Sequence, residues 1–157
     1  DYGDFELRCE YRWAKEGGNS GIALRTPAKG DPAYVGMEIQ LIYDVNWEKV
    51  NKHKLADYQH TGSIYDVQPS KLQPNKPIGE WNTLAVKMVG TRVWVTLNGT
   101  PVVIGQVLDN FFDRSQPVLP TGSIELQTHG AETRFRNIYV REIPKAEGEK
   151  LLATVAK

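Results

Sequence analysis

The stretch Phe5-Glu6-Leu7-Arg8-Cys9-Glu10-Tyr11-Arg12-Trp13 decides the fold class. Apolar side chains occupy every odd position and charged ones every even position. Side chains of an extended strand point to opposite faces in turn, so this is a strand with one face in a core and the other toward water. Cys9 falls on the apolar side and reads as a buried, inert thiol rather than a nucleophile. It is the only cysteine, so no intrachain disulfide can form.

The same alternation continues outward. Gly17-Gly18-Asn19 punctuates the chain, and residues 20–25 read as the second strand of a hairpin. Residues 35–44 form another strand, with Met37, Ile39, Leu41 and Tyr43 on one face and Glu38, Gln40, Ile42 and Asp44 on the other. Residues 45–61 are polar and form either a long loop or a short helix around 47–54, and 62–67 read as a short strand. Residues 81–89 and 92–97 are strands joined by a tight turn at Gly90-Thr91. Asn98-Gly99 is a strong hairpin signal leading into a strand over 100–104. Residues 122–129 and 134–143 read as the last strands, and the tail 144–157 has helical character from Lys145 on. Roughly ten strands with almost no helix predict one all-β domain over 1–143, a two-sheet antiparallel jelly-roll sandwich, followed by the tail.

Composition narrows the function. A chain of 157 residues with 40% hydrophobic and 24% charged side chains suits one soluble domain with its own core. Nineteen Lys and Arg balance nineteen Asp and Glu, which argues against a nucleic-acid partner, since phosphate binding needs a basic surface. No apolar run approaches the ~20 residues that span a bilayer. The Gly-x-Ser-x-Gly elbow, the Gly-rich phosphate loop and Cys–His zinc spacings are absent.

The informative signal is the polar side of two strands. Glu38, Gln40 and Asp44 share a face on one, and Glu125, Gln127 and His129 on the other. A sandwich covered by water would also be polar outside. Here, however, carboxylates, amides and an imidazole replace a Lys, Thr and Glu mixture, and Tyr34, Trp47, Tyr58, Tyr65 and Trp81 stand in or beside the intervening loops. Sugars offer hydroxyls that need donors and acceptors, and C–H faces that stack on rings. Glu38 suits a general base or a metal ligand, and His129 a proton shuttle. Arg25, which closes the strand begun at Asn19-Ser20-Gly21, suits a carboxylate or a substrate oxygen.

These residues carry a resemblance. Asp4-Phe5-Glu6-Leu7 with Tyr11, Gly18-Asn19-Ser20-Gly21-Ile22 with Leu24-Arg25, and Gly36-Met37-Glu38-Ile39-Gln40 come first. Thr61-Gly62-Ser63-Ile64-Tyr65, Gly79-Glu80-Trp81-Asn82 and Leu97-Asn98-Gly99 follow. Ile124-Glu125-Leu126-Gln127-Thr128-His129-Gly130 and Phe135-Arg136-Asn137-Ile138 complete the order. The ordered set resembles the bacterial 3-keto-disaccharide hydrolase, or 3-keto-glucoside 1,2-lyase and hydratase, family of the concanavalin A-like superfamily. The resemblance implies an enzyme acting on glycosides oxidised to a ketone at C3 by a partner oxidoreductase, in the periplasm or outside the cell. It implies an oxidised glucoside or disaccharide as the carbohydrate partner. Glu38 and His129 are then expected to move protons or to hold a divalent metal, without a choice of which is the base. Asn19, Arg25, Gln40, Asp44, Tyr65, Trp81 and Gln127 are expected to contact the sugar. The family's usual opening, Leu-Phe-Asn-Gly-Lys-x-Leu-x-x-Trp, is not seen, and Asp1 falls directly into a strand pattern, so the chain reads as a trimmed or processed piece.

Two other readings stay open on sequence. One is a non-catalytic carbohydrate-binding module, because this fold hosts many binders. The other is a retaining glucanase, although the stretch from Glu38 to Asp44 lacks the second Glu that two-carboxylate chemistry requires.

Overall fold

In a computed structural model, which describes residues 1–30, 36–71, 74–110 and 113–155, the chain is a two-sheet antiparallel sandwich. Its elements run β1 (Phe5–Trp13), β2 (Asn19–Thr26), β3 (Met37–Ile42), α1 (Trp47–Asn51), a 3-10 turn (Asp57–Gln59), β4 (Asn82–Val89), β5 (Arg92–Leu97), β6 (Thr100–Val107), β7 (Ser123–Leu126), β8 (Thr133–Glu142) and α2 (Lys145–Ala153). One sheet has the order β6-β5-β4-β1-β8 and the other β3-β2-β7.

The alternation in β1 works as its pattern demands. Phe5, Leu7, Cys9, Tyr11 and Trp13 are all at most 3% exposed and face the core. There they meet Ile22 and Leu24 of β2, Met37, Ile39 and Leu41 of β3, and Leu84, Val86 and Met88 of β4. Burial pushes the Cys9 thiol up to about 12, helped by the nearby Glu10 charge, so it stays protonated. The charged side of β1 is not simply hydrated. Glu6 is 2% exposed beneath Arg8 at 2.7 Å and Arg141 at 2.5 Å. Burial alone would raise its pKa, but the hydrogen bonds from those two guanidinium groups outweigh it and hold the carboxyl below its ordinary value.

The structure corrects several element boundaries. The described residues contain eight strands rather than about ten. Residues 62–67 make only isolated bridges, Ile64 to Ile39 and Ile64 to Gln68, although this segment still lies along β3. Within the stretch read as 122–129, β7 ends at Leu126, so His129 is not a strand residue. The strand beginning at Thr100 extends to Val107. The short helix in the polar loop is one turn, α1. No helix among the described residues is long and apolar enough to cross a membrane.

Candidate active site

The side of the three-stranded sheet that faces away from the core is where the predicted polar residues gather. Ala23 at the centre of β2 pairs with Glu38 on β3 and with Glu125 on β7. Directly opposed residues share a face. Beyond β3, the Tyr65 amide donates to the Glu38 carbonyl at 2.9 Å, and the Ile64–Ile39 bridge fixes the register. One row across the face therefore reads Tyr65, Glu38, Ala23, Glu125. The next reads Ser63, Gln40, Gly21, Gln127, since Gln40 pairs with Gly21 and the Gln127 amide donates to the Gly21 carbonyl at 2.9 Å. With only a methyl at Ala23 and a hydrogen at Gly21, the central strand is the bottom of a polar trough, and both residues are buried beneath the side chains on either side. The ends of Glu38 and Gln127 close over Gly21: a Cβ there would sit 2.0 Å from Glu38 Oε1 and 2.7 Å from Gln127 Oε1, so a side chain would have to displace them.

Glu38 carries the electrostatics of this trough. Burial pushes its carboxyl up to about 7, and Gln127, as a hydrogen-bond donor, only partly opposes that. The Gln127 contact is looser than a full hydrogen bond, because the buried Gln127 Nε2 has no partner at hydrogen-bond geometry. Gln127 Oε1 meets His129 Nε2 at 3.3 Å. The Gln127 side chain thus stands between Glu38, in the row of Ala23 at the centre of β2, and the exposed imidazole of His129, beyond the end of β7. Tyr65 is braced beside Glu38 by an edge-on contact with Tyr58, centroids 5.2 Å apart, and by Gln59 Nε2, which donates to its hydroxyl at 3.2 Å.

Other predicted sugar contacts are committed elsewhere. Arg25 is 3% exposed, and its guanidinium donates to the carbonyls of Leu119 at 2.9 Å and Gly3 at 3.0 Å, with Asp4 at 3.5 Å. The reason is a β-bulge. Arg25 adopts φ 51°, and the register with β7 slips between Leu24 and Thr26. Strict alternation would put Arg25 on the face of Gly21 and Ala23, but the bulge diverts it and brings Thr26 there instead. Gln40 is 3% exposed, and its amide donates to Asn19 Oδ1 at 2.8 Å and to the Ser20 and Leu41 carbonyls. It braces β2 against β3 rather than reaching a ligand, and Asn19, half-buried, is its acceptor. Asp44 accepts from Asn75 at 3.1 Å and meets His60 Nδ1 at 3.2 Å, while Asn75 also accepts from the buried Tyr11 hydroxyl. Trp81 stands just before β4, and its ring lies against Arg12 of β1 and Arg136 of β8 in the other sheet, 4.9 and 4.0 Å from the centroid. Trp47 is buried in α1 and donates to His53. Tyr34 lies outside the described residues.

Sequence reasoning noted Glu125 on the polar face but gave it no role. The structure places it opposite Ala23, with Thr26 Oγ1 donating to its Oε1 at 2.5 Å. Its position was legible from its parity with Gln127; its Thr26 partner was not, because the bulge reverses the parity. As a metal set, Glu38 and His129 are two donors only, and no three His, Cys, Asp or Glu side chains gather among the described residues. These residues do not fit a metal centre of the usual ligand count.

The architecture and the polar trough define the class: an all-β jelly-roll sandwich shared with glycosyl hydrolase and carbohydrate-binding folds. The carbohydrate binding module CBM66 from Bacillus subtilis superposes with a TM-score of 0.58 over 89% of this chain and 76% of its own, and at 13% identity the likeness is one of fold. Two proteins of Parabacteroides distasonis ATCC 8503, each described as a "putative glycosyl hydrolase", are more similar. They superpose with TM-scores of 0.72 and 0.74 at 28% and 25% identity, over 90% and 91% of this chain and 79% and 73% of theirs. No curated relative matches the sequence. The chain belongs to the 3-keto-alpha-glucoside-1,2-lyase-like domain family, whose model matches residues 1–141.

Proposed function

We propose that this protein cleaves glycosides bearing a ketone at C3, by elimination across C1–C2 and then hydration, with Glu38 as the base. The observation that carries the reading is a carboxyl raised to about 7 by burial at the wall of a small-residue trough, in a chain of this family. A general base works best when its pKa lies near the working pH. The ketone acidifies the proton on C2. Glu38 takes that proton, and the electron pair passes into an enolate at C2–C3. Re-forming the ketone moves the pair into a C1=C2 double bond and expels the C1 oxygen, which takes a proton and leaves as an alcohol. Water then adds its oxygen to C1 and a proton to C2, giving the free 3-keto sugar. His129, which meets the Gln127 side chain next to Glu38, serves the leaving oxygen, and the Tyr65 ring, in the same row as Glu38, offers a face for the sugar. The ketone comes from an oxidoreductase acting first, with both proteins in the periplasm or outside the cell.

The test is release of free sugar from 3-keto-trehalose or 3-keto-sucrose. Wild-type protein should release it, with kcat/KM rising through about pH 7 as Glu38 ionises. Glu38→Gln should lose at least ~100-fold in kcat and keep its affinity. Silence on every keto-sugar together with intact glycan binding would replace the enzyme by a binding module.

A further inference from the structure

We infer that Glu125 is a specificity-determining residue of this trough, accepting hydrogen bonds from the hydroxyls of an uncharged sugar and turning away substrates that carry an anionic group. The inference rests on the proposed keto-glycoside reading and adds the substrate class. Glu38 and Glu125 flank Ala23 on the same face, two strand spacings apart, so their backbones are on the order of 10 Å from one another with only the buried methyl of Ala23 between them. A ligand lying across this row, over the two half-buried side chains, has one carboxylate on each side.

Three observations distinguish Glu125 from an ordinary surface carboxylate. It is half-buried rather than exposed. Among the described residues it has no ion pair with Lys, Arg or His, whereas Glu6, Glu10, Glu132 and Glu147 all have an Arg partner. Finally, the bulge at Arg25 turns Thr26 onto this face, and the Thr26 hydroxyl holds one Glu125 oxygen at 2.5 Å. One oxygen is thus anchored and the other is left as an acceptor. An ionised carboxylate only accepts, so it matches the hydroxyl donors of a sugar. It also repels a phosphate or carboxylate brought to the same face, and that repulsion is strong where water is partly excluded.

The test compares wild-type protein with Glu125→Gln, an isosteric change that keeps the acceptor for Thr26, on 3-keto-trehalose and on its 6-phosphate. For the neutral sugar, the variant should raise KM about tenfold with kcat nearly unchanged, because a charge-assisted hydrogen bond becomes a neutral one. For the phosphate ester the order should reverse, with the variant having the lower KM. Equal KM values for the two proteins on both ligands would overturn the inference while leaving the reaction in place. If wild-type protein turns over neither ligand, the reaction reading fails on its own. Calorimetric Kd values for the same two ligands then decide about Glu125, with reversed preference supporting it and equal affinities overturning it.

Discussion

Glu38 shows how much a single position owes to its surroundings. Alternation with Met37 and Ile39 puts it on the outer face, but nothing in the sequence says that the face is partly dry. Burial raises its pKa from an ordinary 4.5 to about 7. A raised folded-state pKa means that the folded chain binds the proton more tightly than the unfolded chain. The stability from this group is therefore complete below about pH 4.5 and is lost as pH rises through about 7. Above that, the ionised carboxylate costs up to roughly 3 kcal/mol. Glu38→Gln removes the charge at little change in shape. We expect the variant to be more stable than its parent at pH 8 and about equal to it at pH 4, as read by urea unfolding at the two pH values. A gap independent of pH would contradict the burial of an ionised carboxylate.

At the scale of the element, the bulge in β2 decides what belongs to the site. Period two continued through residue 25 would aim Arg25 at the trough. The left-handed conformation at Arg25 sends it instead toward the carbonyls of Gly3 and Leu119. Those bonds tie the segments before β1 and before β7 to β2, the middle strand of its sheet, so Arg25 holds the fold together rather than a ligand. Arg25→Met should lower stability by roughly 2–3 kcal/mol, because a charged donor is lost and its acceptors are left without it. Thermal unfolding checks this, and an unchanged midpoint would show that the bulge stands without the guanidinium. A second bulge breaks the period in β8. Asn137 in β8 also has φ 50°, where the register with β1 slips between Arg8 and Glu10. Bulges insert one residue with no change in composition, so alternation read along one strand cannot locate them.

For the whole molecule, stability rests on the contact between the two sheets. Ile39 is fully buried, bridges to Ile64 and packs in the common core, one residue from both Glu38 and Gln40. Ile39→Ala should cost roughly 3 kcal/mol and lower Tm by about 10 °C. A calorimetric scan checks the size of the drop, and a shift of only a degree or two would mean that the sheets can close over the cavity. The sequence by itself determined most strands of the sandwich, the core sides of β1 and β3 and the shared parity of Glu38 with Gln40 and of Glu125 with Gln127. These follow from backbone geometry that repeats every two residues. Only the tertiary structure decided that β3 and β7 flank the same central strand, that Arg25 and Trp81 lie away from the trough while Thr26 enters it, and that Glu38 titrates near neutrality. Strand order, bulges and desolvation depend on residues far apart in the chain, and a local pattern carries no record of them.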